Sequence, residues 1–305
     1  MLSRTLTPIL YALATLTVAL PASGLRADVD PVRTVEALRA APGIADDLPL
    51  RIESSSLDGK VEGQVNGHLA FPFAMVSSAL RDPAAWCAII ALHQNVKACV
   101  HVERADAEVL RVYNGKKHFQ DVEHAIVSEY VFAPAASDPA RTVISLTAAS
   151  GPLGTSDHRI LLDARADPGG GTAVEFRYHY QVSQLAQTSL RLYLATGARD
   201  KIGFTVVGEN AHGEPHHVTG VRGPIERNAV RYYLAITAYL ESRDLPAPSA
   251  SEWRAARWYD LTQVYAAQLH EVERGDYLAN KRREFAQQAV LQAQAANRVD
   301  GGREH

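Results

Sequence analysis

The chain has 305 residues, with 31 basic and 34 acidic side chains and a formal net charge of −3. That balance leaves no basic face for nucleic acid and no strong pull toward anionic lipid. Apolar residues make up 47% of the chain, ample for one large domain with or without an appendage.

The N-terminus reads as a secretory signal over 1–27. Arg4 supplies the positive start, 5–20 is apolar and uncharged, and Pro21-Ala22-Ser23-Gly24 breaks the segment beside small residues suited to cleavage. The apolar stretch is short for a span, which needs about 20 residues. No second apolar run is long enough to cross a bilayer, so a periplasmic or secreted product is expected. The stretch 28–50 holds a helix at 30–38 and a linker, and 49–57 is either linker or a first edge strand.

From 60 to 71 the pattern alternates. Val61, Val65 and Leu69 share one face with Gly63 and Gly67 between them, while Glu62, Gln64, Asn66 and His68 share the other. This is a half-buried antiparallel strand, and its glycines point to curvature or close approach by another element. Pro72 opens a short helix with Phe73, Val76 and Leu80 in register. Asp82-Pro83 caps a second, whose inner face carries Trp86, Ile89, Ile90 and His93.

Strands follow at 96–102, 109–113, 126–132, 141–148 and 159–164, with Asn114-Gly115 as a hairpin signal. The clearest is 172–182, where Val174, Phe176, Tyr178, Tyr180 and Val182 face one way and Glu175, Arg177, His179 and Gln181 the other. The stretch 184–196 reads as helix and 201–208 as a helix end or a strand. A strong amphipathic helix is expected over 225–242. Pro246-Ala247-Pro248-Ser249 is a linker or kink. Ser251 then caps a helical extension, 246–305, bearing Trp253, Trp258, Tyr259, Leu261, Val264, Tyr265 and Leu269. Those aromatics should pack on the body or a partner, the part from 287 on should pack on nothing, and the last residues should be disordered.

Cys87 and Cys99 are the only cysteines. One falls in the second short helix and the other in the next strand, so in an oxidising compartment they can form a disulfide stapling helix to sheet; two buried thiols are the alternative. Without CxxC spacing they suggest neither a metal site nor a catalytic thiol.

One strand, two short helices, a run of strands and a long closing helix describe an α+β fold: a curved antiparallel sheet gripping a C-terminal helix over 51–245, followed by extra helices. The chain here resembles the START-like, or helix-grip, superfamily. The residues that carry the resemblance are 60–71, the helical pair 73–95 with Ala84-Ala85-Trp86, and the strands after them. In such proteins the closing helix follows the last strand directly, whereas 183–224 intervenes here, so either that helix is split or extra elements cover a cavity mouth. The resemblance implies a cavity between sheet and helix that takes a hydrophobic small molecule or lipid.

On this reading Phe176, Tyr178, Tyr180, Tyr232 and Tyr233 line the cavity or fill the core. Arg222 or Arg227 would take a ligand's polar end, or would pair with Glu226 to fix the helix entry. The run Ser150 to His158 brings Ser, Asp and His together in sequence, but a catalytic triad needs convergence in space, so a turn is expected. His212, Glu214, His216 and His217 suggest a solvated hairpin more than a metal site, since neighbouring strand residues face opposite ways. No cofactor is implied and no catalytic residue is assigned. A cyclase- or hydrolase-like enzyme using the same cavity, or an envelope protein-interaction module using the C-terminal helices, are the other functions these features allow. No protein partner is identifiable.

Overall fold

The computed structural model describes residues 50–135, 138–183, 201–209, 212–246 and 249–301. The signal segment, the helices expected at 30–38 and 184–196 and the last four residues lie outside them.

Eight strands form one antiparallel sheet in the order β1-β2-β8-β7-β6-β5-β4-β3. They are β1 (Arg51–Leu57), β2 (Lys60–Leu69), β3 (Val96–Arg104), β4 (Ala107–Asn114), β5 (Ile126–Pro134), β6 (Arg141–Ser150), β7 (Thr155–Ala166) and β8 (Thr172–Val182). Helices α1 (Phe73–Leu80) and α2 (Pro83–Ile90) join β2 to β3. Chain order separates β2 from its neighbour β8 by all the intervening strands, so the helical pair carries the chain from one end of the sheet to the other. As the sequence implies, the Asp82 carboxylate caps α2 by accepting from the Ala84 amide at 2.8 Å.

Of the stretch expected to be linker or edge strand, Arg51–Leu57 is strand, and Asp58 and Gly59 take positive φ and close a two-residue hairpin with Leu57 opposite Lys60. Asn114-Gly115 makes no such hairpin. The Asn114 amide reaches over to Ile126 O and Ser128 Oγ, while Lys97 and Gln120 crowd Gly115, so the pair opens a longer loop to β5.

Between β8 and the long helix, β9 (Val206–Glu209) and β10 (Pro215–His217) form a small hairpin. The closing helix α3 (Arg222–Glu241) is continuous, and among the described residues the stretch before it contributes the β9–β10 hairpin. The helix lies across β1, β2 and β8. Gly63 and Gly67 exist for that contact. A Cβ on Gly67 would sit 2.5 Å from the Tyr233 hydroxyl oxygen, and one on Gly63 would sit 3.0 Å from Ile225 O. Gripping a helix this tightly requires a side-chain-free stripe on β2.

The C-terminal extension forms α4 (Ser249–Gln263), α5 (Ala266–Leu269) and α6 (Arg274–Gly301). Its aromatics pack on the body: the Trp258 indole donates to Arg231 O and the Tyr277 hydroxyl to Leu92 O, both at 2.9 Å. Trp253 stays 41% exposed. The expectation that residues from 287 on touch nothing is corrected. Gln288 and Gln292, one turn apart, accept from the amides of Cys99 and His101, and Gln292 also donates to His101 O. Those groups belong to β3, the edge strand, whose unpaired backbone would otherwise be open to another strand. Cys87 and Cys99 are disulfide-bonded, fastening α2 to the same edge. Among the described residues, no helix is long and apolar enough to cross a membrane.

Candidate functional site

The site lies where the inward face of the sheet meets α3, and alternation selects its residues. On β8, Val174, Phe176, Tyr178 and Val182 are buried and Tyr180 is partly buried against the core. On β5 the inward set is Ser128, Tyr130 and Phe132. From the helix Tyr232 comes down between them, its ring centroid 6.0 Å from both Phe176 and Tyr178 and edge-on to the latter. His93, from the turn after α2, stacks on Tyr232 at 5.5 Å and pairs with Asn228 Oδ1 at 3.2 Å.

His158 enters by a bulge. The β7–β8 register shifts between Ser156 and Arg159, with Asp157 at positive φ, and this turns His158 inward. Its Nδ1 lies 3.0 Å from the Tyr178 hydroxyl and its Nε2 2.8 Å from Thr155 Oγ1, while Tyr180 stacks on the ring at 5.4 Å. The Thr155 hydroxyl donates its proton to Pro152 O. It must therefore accept from Nε2–H, which leaves Nδ1 bare to accept from Tyr178. Gly151 leaves the space the imidazole needs, since a Cβ there would collide with Nε2.

The environment is dry and holds these groups neutral. Burial, followed by the nearby His179, lowers His158 to about 4. Burial, then Arg231, lowers His93 to about 3. Burial pushes Tyr130 and Tyr180 up to about 12, and Tyr178 and Tyr232 upward as well. The hydroxyls of Tyr180 and Tyr232 have no hydrogen-bond partner among the described residues, and both side chains keep part of their surface accessible despite lying deep in the fold.

On the far side of the sheet is a cleft of about 650 Å³ lined by outward residues including Val127, Glu129, Arg159 and His179, and reaching His158. It forms because β5 pairs with β6 only from Val131 to Pro134, so the start of β5 parts from the end of β6.

The seven ligand-contacting residues expected from sequence do not form one lining. Phe176, Tyr178, Tyr180 and Tyr232 gather around the site. Tyr233 turns to β2, fully buried over Gly67, and donates to His68 O at 3.1 Å. Arg222 donates to Ser54 Oγ at 2.9 Å and stands ten residues from Tyr232, about 15 Å along the helix axis. Arg227 is ion-paired with Glu271. Among the described residues Glu226 forms no ion pair with an arginine; it is fully buried and accepts from the Phe204 and Thr205 amides, Thr205 Oγ1 and Ser54 Oγ. It fixes the helix entry through backbone, and Arg222 is joined to it only through Ser54.

Tyr130, His93 and His158 were not assigned from sequence. Alternation along β5 marks Tyr130 as inward. Nothing local to His158 announces the bulge that aims it. The Ser150–His158 run is the expected turn, and Ser156 and Asp157 form no relay with the imidazole, whose nitrogens are taken by Tyr178 and Thr155. The His-rich stretch is the β9–β10 hairpin, where His217 Nδ1 lies against Phe204 O.

No family model matches the chain, and no curated protein matches it. Among solved structures, the chain is similar to a STAR-related lipid transfer protein fragment from Xanthomonas axonopodis, at 12% identity and TM-score 0.37, over 65% of this chain and 95% of that one. Human StAR-related lipid transfer protein 5 matches at 10% identity and TM-score 0.35, over 70% and 95%. A Thalictrum norcoclaurine synthase matches at 9% identity and TM-score 0.33, over 48% and 89%. These are likenesses in the course of the chain. The eight-stranded antiparallel sheet closed by a long helix is a helix-grip arrangement, as the order of elements in the sequence led us to expect.

Proposed function

We propose that this protein binds a hydrophobic small molecule or lipid between the sheet and α3, with tyrosine hydroxyls orienting its polar end. The observation that carries this is the pair Tyr180 and Tyr232. Their hydroxyls have no hydrogen-bond partner among the described residues and keep some access from outside, so a ligand oxygen or nitrogen can bond them. The surrounding rings supply apolar surface and a few placed polar groups, the usual composition of a small-molecule site. The parting of β5 from β6 offers a route inward past His158. The test is native mass spectrometry of protein purified without detergent, with rebinding after delipidation. A co-purifying apolar ligand or saturable rebinding is expected; repeated absence of both refutes the proposal.

The cyclase- or hydrolase-like reading has one observation in its favour: the proton chain from Tyr178 through His158 to Thr155, an acid–base pair in a dry site. Once a ligand is in hand, its chemical conversion on incubation, abolished in His158→Gln, would support catalysis. An unchanged ligand would remove it. The interaction-module reading loses its motive, because most aromatics of the extension are consumed by packing on the body. We place the protein outside the cytoplasm on the signal-like 1–27 and on the Cys87–Cys99 bond, which persists in oxidising compartments. N-terminal sequencing of the mature protein should begin near residue 28.

A further inference from the structure

We infer that the cleft between α2, α4 and α6 is a binding site for an apolar molecule ending in a carboxylate, with Arg254 as its anchor. The cleft has a volume of about 490 Å³, within the range of small-molecule sites. On one side α2 contributes Ala84, Ala88 and Ala91 together with the Cys87–Cys99 bond, which fastens α2 to β3 and makes that side rigid. On the other, α6 contributes Phe285 and Ala289. Gln288 and Gln292 also border the cleft, but their side-chain oxygens are spent on the amides of Cys99 and His101 and do not oppose an incoming anion. Among the described residues that line the cleft there is no acidic side chain, and Arg254 is the one arginine or lysine.

Arg254 is held in place without being used up. Its Nε donates to Ser242 Oγ at 2.8 Å, and its guanidinium lies over the Tyr239 ring, with Cζ 4.7 Å from the centroid. These two contacts fix the plane of the group. Nη1 and Nη2 have no acceptor among the described residues, and neither is sealed from outside. Arg257, three residues on in the same helix, is bound differently: its Nε and Nη2 both donate to the Glu241 carboxylate. A guanidinium fixed at Nε and on one face presents its Nη1–Nη2 edge as a fork, which the two oxygens of a carboxylate fit. Burial lowers the pKa of Arg254 from the ordinary arginine value, a shift that an anion in the cleft would offset. One cation beside alanine, phenylalanine and disulfide surface matches one carboxylate on an apolar body. A phosphate dianion would keep a charge unmatched against that surface.

The inference stands apart from the function proposed above, since no residue lining this cleft belongs to the tyrosine site. The experiment is calorimetric titration of the delipidated full chain with decanoate, below its micellar concentration, and with 1-decanol, which differs only at the head. Saturable binding of decanoate is expected. It should weaken at least tenfold in Arg254→Gln, where 1-decanol should bind as before. It should weaken as much in Ala88→Phe, whose ring occupies the cleft from a half-buried position on α2. Tyr232→Phe, at the tyrosine site, should leave it unchanged. If decanoate does not bind saturably, or binds Arg254→Gln or Ala88→Phe as tightly as the original protein, the inference is wrong. An equal loss of decanoate and 1-decanol in Arg254→Gln would show that the arginine acts on the fold and not on the carboxylate, which also overturns it. Binding lost in Tyr232→Phe and kept in Arg254→Gln places the carboxylate among the tyrosines, which supports the proposed function and refutes this inference. Should Arg254→Gln not fold, Ala88→Phe decides by itself.

Discussion

Substituting Gly67 by alanine tests the grip between β2 and α3 directly. The new methyl carbon would lie 2.5 Å from the Tyr233 hydroxyl oxygen and 2.6 Å from Cζ, well inside van der Waals contact. Tyr233 cannot retreat, because it is fully buried and its hydroxyl is fixed on His68 O. Overpacking of this kind costs about 1–3 kcal/mol. Against it stands the conformational advantage of alanine over glycine in a strand, about 0.5–1 kcal/mol. The net expectation is a loss of about 1–2 kcal/mol, or roughly 2–8 °C in the unfolding midpoint for a domain of this size. Urea unfolding followed by circular dichroism measures it, and the decisive form is a double-mutant cycle. Tyr233→Leu deletes every atom the methyl would strike. In that background Gly67→Ala should be neutral or stabilising, giving a coupling of about 2 kcal/mol. If Gly67→Ala costs the same in both backgrounds, the glycine is there for some other reason and the account of the grip fails.

The remaining expectations follow from other contacts. His93 and His158, lowered to about 3 and about 4, stay neutral in the folded chain, whereas the unfolded chain protonates them below about 6.5. The unfolded state therefore takes up more protons as pH falls, and stability is full above pH 6.5 and declines toward pH 3. Between pH 7.5 and 5 each histidine should account for about 2 kcal/mol, so His158→Gln should show a shallower loss in urea titrations at the two pH values, and an unchanged slope would refute the assignment. Cys87→Ser should cost about 3 kcal/mol, the chain-entropy value for a twelve-residue separation, and unreduced protein should give no free thiol when denatured. Truncation after Ala296 should leave the unfolding midpoint unchanged. Ending the chain before Gln288 should uncover the β3 edge and produce association in analytical ultracentrifugation; a monomer of unaltered stability would show that the glutamines do not guard it.

Periodicity made the sheet and helix legible, because burial of one face forces alternation on a strand and a stripe on a helix. Residues 172–182 and 60–69 were readable on that ground, as was the helix after 222. Chemistry local to a few residues was also legible in part: Asp82-Pro83 at a helix start and Cys87 and Cys99 within reach of each other, whereas the hairpin expected at Asn114-Gly115 formed instead at Asp58-Gly59. What tertiary structure alone decided is which inward residues share a space. Tyr232 and Tyr233 are adjacent and equally aromatic, yet the 100° turn between them sends one to the tyrosine site and the other onto Gly67. His158 faces inward because a bulge displaces it by one residue, and a one-residue slip on a strand exchanges faces. Arg227 and Arg231 meet Lys117, Lys201 and Glu271 only when a loop, a post-strand segment and the link between two C-terminal helices arrive at the same face of α3. Gln288 and Gln292 carry no sequence signal for packing, since what they bind is backbone, and which backbone stands unpaired is fixed only by the strand order of the sheet.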